Sequence, residues 1–255
     1  MQNIKFNYLK KKIRSRKLSL GGWLQSGSTD IAEILSSFLK IDWICIDVEH
    51  GHPNCKNNVS DLIKSIEIGG AIPFVRPSSM DEFEIRSYLD CGAKGIIIPN
   101  VNSAIEIKEL FSKINFYPFG NRGVGYYRAN KYGLAFDDYL KSSKDIIKIV
   151  MIENVNALEN LNDILKIKEI DSIFIGPYDL SSSLGIPGEF DNKIFTDALK
   201  EIKSKSKFYK KTFGIHLIKP SKKDLKKFIK ENYSFIACSI DIEMIINSMK
   251  NIIDD

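Results

Sequence analysis

Short apolar runs rich in Ile and Val recur along this chain, alternating with stretches in which leucines and isoleucines return at helical spacing. The runs at 18–24 (LSLGGWL), 42–47 (DWICID), 71–76 (AIPFVR), 94–99 (KGIIIP), 146–152, 172–175, 212–217 (TFGIHL) and 235–239 (FIACS) predict buried parallel strands. Residues 30–39, 59–68, 81–89, 103–114, 156–166 and 221–230 carry helical periodicity between them, and 240–252 closes the chain as an apolar helix. Eight strands alternating with helices, with no shift in composition, predict an α/β fold: one (β/α)8 TIM barrel domain spanning 1–255. A doubly wound open sheet is the alternative. It would normally open on a glycine-rich first turn, and GxGxxG is absent.

Two stretches stand outside the rhythm. Residues 1–17 (MQNIKFNYLKKKIRSRK) form a basic leader to which no element is assigned. Residues 115–132 carry three glycines, a proline, two arginines and several aromatics, which predicts an ordered functional loop, with a short helix over 136–142 after it.

In a barrel of this kind, chemistry gathers where strands end at their C-terminal edge. The strand ends offer Asp47, Glu49 and His50 after the second strand, Arg76 after the third, Glu153 after the fifth and Asp179 after the sixth. Neighbouring parallel strands lie about 4.8 Å apart, so Glu153 and Asp179, one βαβ unit apart, can converge on a single cation. Two carboxylates with water in the remaining positions suit Mg²⁺. Each residue also has a plainer reading. Glu153 is then an ordinary loop acid, Asp179 an N-cap, Arg76 an ion-pair partner, His50 a satisfied histidine, Asp90 a helix-terminal acid and Trp23 core. His52 reads as a loop residue, His216 as buried and hydrogen-bonded, and Arg122 and Arg128 as pins of their loop.

Composition narrows the classes. The net charge of +5 comes from dispersed lysines, with denser patches at 10–17 and 203–211 that read as solvated helix faces. Neither patch accompanies a nucleic-acid-binding module, so no nucleic-acid partner is expected. No run of about 18 apolar residues exists and the leader lacks a hydrophobic signal core, which predicts a cytoplasmic protein with no membrane partner. The four cysteines form no CxxC pair and read as reduced thiols.

A set of ordered motifs sharpens the reading. Gly22-Trp23, DWICIDVEHG at 42–51, FVRP at 74–77, LDCGAKGIIIP at 89–99, NRGVG at 121–125, MIE at 151–153 and IFIGPYDLSSSLG at 173–185 together resemble the HpcH/HpaI family of class II, metal-dependent pyruvate aldolases. That family includes 4-hydroxy-2-oxoheptanedioate and 2-dehydro-3-deoxyglucarate aldolases. The resemblance implies reversible cleavage of a 4-hydroxy-2-oxo acid to pyruvate and an aldehyde, through an enolate that the metal stabilises. It implies Glu153 and Asp179 as ligands of Mg²⁺, Mn²⁺ or Co²⁺, and Arg76 as the cation at the keto oxygen. His50 would move the proton, with Asp90 orienting its ring and Asp47 holding a water. Backbone amides near Gly176–Asp179 would hold the pyruvate carboxylate, with Gly176, Pro177 and Tyr178 in the substrate site, and Trp23 would form part of the wall. Glu49, Met151 and Arg122 rank second, Arg122 at the substrate mouth. A homohexamer, a trimer of dimers with the last helix exchanged between subunits, is implied as well.

The chain departs from the family where Met151 replaces a common glutamine and Tyr178 a common small residue, which leaves the aldehyde side of the pocket open. Two other readings remain. One keeps the enolate but makes the chain a citryl- or malyl-thioester lyase or a phosphoenolpyruvate-type enzyme. The other is a non-catalytic barrel that binds a keto acid.

Overall fold

The structure, a computed structural model, describes residues 2–141 and 145–253. Eight strands close into a barrel: β1 Ser19–Leu24, β2 Trp43–Asp47, β3 Ile72–Arg76, β4 Gly95–Ile98, β5 Ile147–Ile152, β6 Ser172–Ile175, β7 Thr212–Leu217 and β8 Phe235–Ile240. Every neighbouring pair is parallel, including β8 with β1. Parallel strands are covered on both faces, which is why these segments are almost continuously apolar.

The two faces do different work. Outward residues such as Ile44, Ile46, Val75, Ile98 and Ile175 join helix residues such as Leu62, Ile66, Ile107 and Leu161 in the larger core. Inward residues, among them Trp23, Trp43, Phe74, Met151, Phe174 and Phe235, fill the barrel itself. Trp43 stacks 4.4 Å from Phe235 and 5.4 Å from Phe74, and its indole donates to Ser19 Oγ at 3.0 Å. Gly21 makes that stack possible: a Cβ there would stand 2.1 Å from the indole ring. The interior is therefore a packed floor, and chemistry is confined to the rim above it.

The stretch expected to be a leader is instead a helix, Gln2–Arg14, that closes the N-terminal end of the barrel. Phe6, Leu9 and Ile13 enter the interior core, while Lys12 bonds both oxygens of Asp42 at 2.8 and 2.7 Å and Lys5 donates to the Gly70 carbonyl at 3.0 Å. Its lysines tie the helix to the rim, so part of the basic patch is structural rather than solvated. The narrow stripe at 6, 9 and 13 was masked by the lysines around it.

Other differences are local. Helix Lys193–Phe208, with Phe195, Ala198 and Ile202 buried, was not separated in the sequence. The expected helix 156–166 is two, Val155–Glu159 and Leu161–Leu165. The short helix runs Phe136–Lys141, and Ser142 lies outside the described residues. Among the described residues no helix is long and apolar enough to cross a membrane, and all four cysteines are free.

Candidate active site

Asp47 and Arg76 are the last residues of β2 and β3 and face each other in register. Arg76 Nε donates to Asp47 Oδ1 at 2.9 Å and Nη2 to Oδ2 at 2.7 Å, a two-point grip that a lysine has no geometry to make. Arg76 Nη1 lies 3.1 Å from Glu49 Oε2, and the guanidinium carbon sits 4.5 Å over the Trp23 ring. Gln25 Nε2 adds a 2.6 Å bond to Asp47 Oδ2, and the His50 amide one of 3.2 Å to Oδ1. Burial alone would raise the Asp47 carboxyl. The Arg76 charge and the hydrogen bonds from Arg76, Gln25 and His50 outweigh it and hold the group below the usual carboxylate range. With no exposed surface and both oxygens engaged, Asp47 positions Arg76 rather than a water, contrary to the sequence expectation.

Glu153 follows β5 with 4% of its surface exposed. The Asn100 amide donates to its Oε1 at 2.5 Å, and the Asn100 side chain donates to Glu49 Oε1 at 2.9 Å. Asn100 thus fixes two acids at once, which it does from a left-handed backbone (φ 53°) that asparagine tolerates better than most residues. Across from it, Gly176 is pressed so close that a Cβ would stand 2.7 Å from Glu153 Oε2. Burial first, then the charges of Asp179 and Glu49, push the Glu153 carboxyl up to about 7 against the lowering effect of the Asn100 amide and Arg76. Glu49 is raised too, by burial and by Asp47 and Asp179, with Arg76 and His50 opposing.

Asp179 is exposed in the first turn of the short helix Pro177–Ser183 that leaves β6. Glu153, Asp179 and Glu49 therefore press negative charge on one another, which Arg76 only partly offsets. All the donors are carboxylate oxygens, which suit a hard divalent cation such as Mg²⁺ or Mn²⁺. No three His, Cys, Asp or Glu side chains among the described residues close on one point. A cation held by Glu153 and Asp179 would keep open positions for substrate and water, so the donor set fits the expected metal.

The remaining expected residues divide between the two rims. His50 stands at the C-terminal rim, its side chain 60% exposed and Nε2 3.8 Å from Glu49 Oε2. Met151 lies beneath, with Sδ 4.0 Å from Arg76 Nη1. Gly176 and Pro177 open the short helix, and Tyr178 leans edge-on against Phe190 with centroids 4.9 Å apart.

Asp90 and Arg122 are not in this group. Helix Glu82–Cys91 runs back from β3 and ends at the opposite rim, where Arg122 Nη2 bonds Asp90 Oδ1 at 2.6 Å and Tyr139 Oη at 2.7 Å. Within the chain, Asp90 therefore does not orient His50, and Arg122 lies away from the substrate mouth. The 115–132 stretch follows helix Ala104–Ile114, runs into a 3-10 turn at Arg128–Gly133 and precedes helix Phe136–Lys141, on the way to β5 at that same distal rim. Sequence reasoning missed Gln25, Asn100 and Asp241. Asp241, 1% exposed, accepts from the amides of Gln25 and Ser26 at 2.9 and 3.0 Å and so fixes the turn that carries Gln25.

Residues 19–248 match the family model for HpcH/HpaI aldolase/citrate lyase. A hydroxypyruvate/pyruvate aldolase of Rhizorhabdus wittichii is 32% identical over 93% of this chain and 93% of its own. A 2-keto-3-deoxy-L-rhamnonate aldolase of Salmonella typhi is 36% identical over 71% of this chain and 68% of its own. Among solved structures, an HpcH/HpaI aldolase/citrate lyase family protein from Burkholderia cenocepacia J2315 superposes with a TM-score of 0.90 at 25% identity, covering 96% of this chain and 97% of that one.

Proposed function

The chain belongs to the HpcH/HpaI aldolase/citrate lyase family, and from that premise we propose that it is a carbon–carbon lyase of the class II aldolase type, cleaving a 4-hydroxy-2-oxo acid to pyruvate and an aldehyde. The observation that carries the reading is the excess of carboxylate around one fixed guanidinium, with Glu153 driven up to about 7 by burial and its acidic neighbours. A structural ion-pair network would balance its charges. Here Asp47, Glu49, Glu153 and Asp179 gather around Arg76.

Glu153 and Asp179 would hold a divalent ion, which would polarise the substrate carbonyl as a Lewis acid. In cleavage the 4-hydroxyl loses its proton, the C3–C4 bond breaks, and its electron pair moves into the keto acid as an enolate, which is then protonated at C3. Arg76 faces the keto oxygen as negative charge grows there, and Asp47 and Gln25 keep the guanidinium aimed. It stays cationic throughout, since Asp47 and Glu49 raise it against burial. His50, exposed at the rim beside Glu49, moves the proton, and amides at the start of helix Pro177–Ser183 receive the substrate carboxylate.

Proton exchange tests this without knowledge of the aldehyde. Protein supplied with Mg²⁺ or Mn²⁺ is expected to exchange the methyl protons of pyruvate with D₂O, followed by loss of the proton NMR signal. Metal-bound protein that leaves the signal intact over hours would point instead to a barrel that binds keto acids without chemistry.

The same reading extends to assembly as a homohexamer. Helix Asp241–Ile253 presents Ile242, Ile245, Ile246 and Met249 along one face at 43, 51, 42 and 52% exposure, a stripe too apolar to leave in water. Sedimentation velocity is expected to give a hexamer that Ile245→Glu splits into smaller species; a wild-type monomer at micromolar concentration would refute it. Free thiols support a cytoplasmic setting.

A further inference from the structure

The last helix is seated at one end only. β8 runs without a loop into helix Asp241–Ile253, and of the described residues of that helix only Asp241 is buried. The joint redirects the chain. β8 advances three positions, from Ala237 to Ile240, while β1 advances two, from Gly21 to Trp23. Within that step Ser239 takes a left-handed backbone (φ 67°), uncommon outside glycine, and its hydroxyl donates to the Ile218 carbonyl at 2.8 Å. Lys219, the next residue on that side, lies 3.2 Å from Glu243 in the first turn of the helix.

Asp241 does not serve its own helix. A first-turn acid ordinarily complements the helix dipole and the free amides there, whereas both Asp241 oxygens accept from the turn after β1. Oδ1 takes the Gln25 amide at 2.9 Å and Oδ2 the Ser26 amide at 3.0 Å. The Gln25 carbonyl accepts from the His52 amide at 2.7 Å, and the Gln25 side chain donates to Asp47 at 2.6 Å. Asp47 in turn grips Arg76 at two points, with the guanidinium over the Trp23 ring. An unbroken run of contacts therefore leads from the root of the last helix to the guanidinium.

We propose that Asp241 is a positioning residue that makes the aim of Arg76 depend on where the last helix sits, so that the site reaches full rate only with that helix docked by its apolar face on a second copy of the chain. The rate part rests on the aldolase reading; the route rests on the bonds above. A displaced helix must either break the two amide bonds or carry the Gln25 turn with it, and either way Asp47 loses the donor that helps hold Arg76. A misplacement of about 1 Å at a reacting group is enough to slow chemistry severely.

The test uses full-length protein with Mg²⁺. Exchange of the pyruvate methyl protons in D₂O gives rates. Emission of Trp23, the only indole left in a Trp43→Phe background, reports the guanidinium without any chemistry. Asp241→Asn keeps the shape of the side chain but turns one acceptor into a donor that faces an amide. It is expected to lower kcat about tenfold with KM changed by less than about twofold, and Gln25→Leu does the same. The double variant should be no slower than the slower single, because the two act in series; unrelated injuries would multiply to about a hundredfold. Trp23 emission should move toward the Arg76→Ala value in Asp241→Asn and in Ile245→Glu, and Ile245→Glu should add nothing once Asp241→Asn has cut the route. Losses that multiply, or emission that either single variant leaves at the wild-type value, overturn the inference, while pyruvate exchange by wild type keeps the aldolase reading. Wild type without exchange removes the aldolase reading, and the emission series alone then decides whether the helix reaches Arg76.

Discussion

Replacing Arg76 with alanine is expected to lower kcat/KM for aldol cleavage by about 10²–10³-fold, the loss typical of removing one preorganised donor to a developing oxyanion. The structure makes a larger loss reasonable, because this donor is a full charge held at four points: two bonds to Asp47, one contact with Glu49 and the face of Trp23. The variant also leaves Asp47, which has no exposed surface, with only Gln25 and the His50 amide as partners. Breaking a buried pair in this way costs about 3–5 kcal/mol, so a lower urea midpoint should accompany the loss of activity. Metal affinity should not fall, since the substitution removes a positive charge from beside Glu49 and Glu153. Arg76→Lys separates the effects: it restores charge but not the two-point grip, so it recovers part of the stability and little of the rate. Steady-state kinetics, calorimetry with Mn²⁺ and denaturant unfolding of both variants decide the matter. Activity of Arg76→Ala within tenfold of wild type would remove Arg76 from the chemistry.

What could be read from the chain, and what could not, follows from the range of each signal. The eight strands were legible because a strand buried on both faces is a short unbroken apolar run, and Asp47, Arg76 and Glu153 stood out as charges at the ends of such runs. Helix Gln2–Arg14 was obscured because its three core contacts are spaced among lysines whose role, gripping Asp42 and the Gly70 carbonyl, depends on residues distant in sequence. Asn100 gave only a weak local sign, the Pro99-Asn100 pair after a strand, since its function lies in reaching Glu49 and Glu153 from two other strands. Asp90 and Arg122 fail for a different reason. Their motifs carry no direction, although the topology does: a helix leaving the C-terminal rim must return to the N-terminal one, so an acid in its last turn lands beneath the barrel. His216 stands half-buried on β7 with Nε2 unpaired among the described residues, a detail that its place in an apolar strand could not foretell.

Metal-free protein should become less stable as pH rises from about 5 to 8, and Glu153→Gln should abolish much of that trend. In the folded chain the Glu153 carboxyl is raised from 4.5 to about 7. Between those values the folded state holds a proton that the unfolded state has lost, so stability is fully present below 4.5 and is lost as pH rises through about 7. A displacement of that size corresponds to something on the order of 3 kcal/mol. Glutamine keeps an oxygen for the Asn100 amide but never ionises, so at pH 8 without metal the variant should be more stable than wild type. Adding Mg²⁺ or Mn²⁺ reverses the order, because a ligand that binds only the folded state stabilises it by mass action and the variant lacks the charge to hold it. Wild-type metal affinity should weaken about tenfold per pH unit below 7, where the cation must displace a proton from Glu153. Urea unfolding across pH 5–8, with chelator and with metal, measures all three effects. Parallel pH profiles for wild type and Glu153→Gln, or equal stabilisation of both by metal, would mean that the cation is held elsewhere and that the carboxylates at this rim are in balance without it.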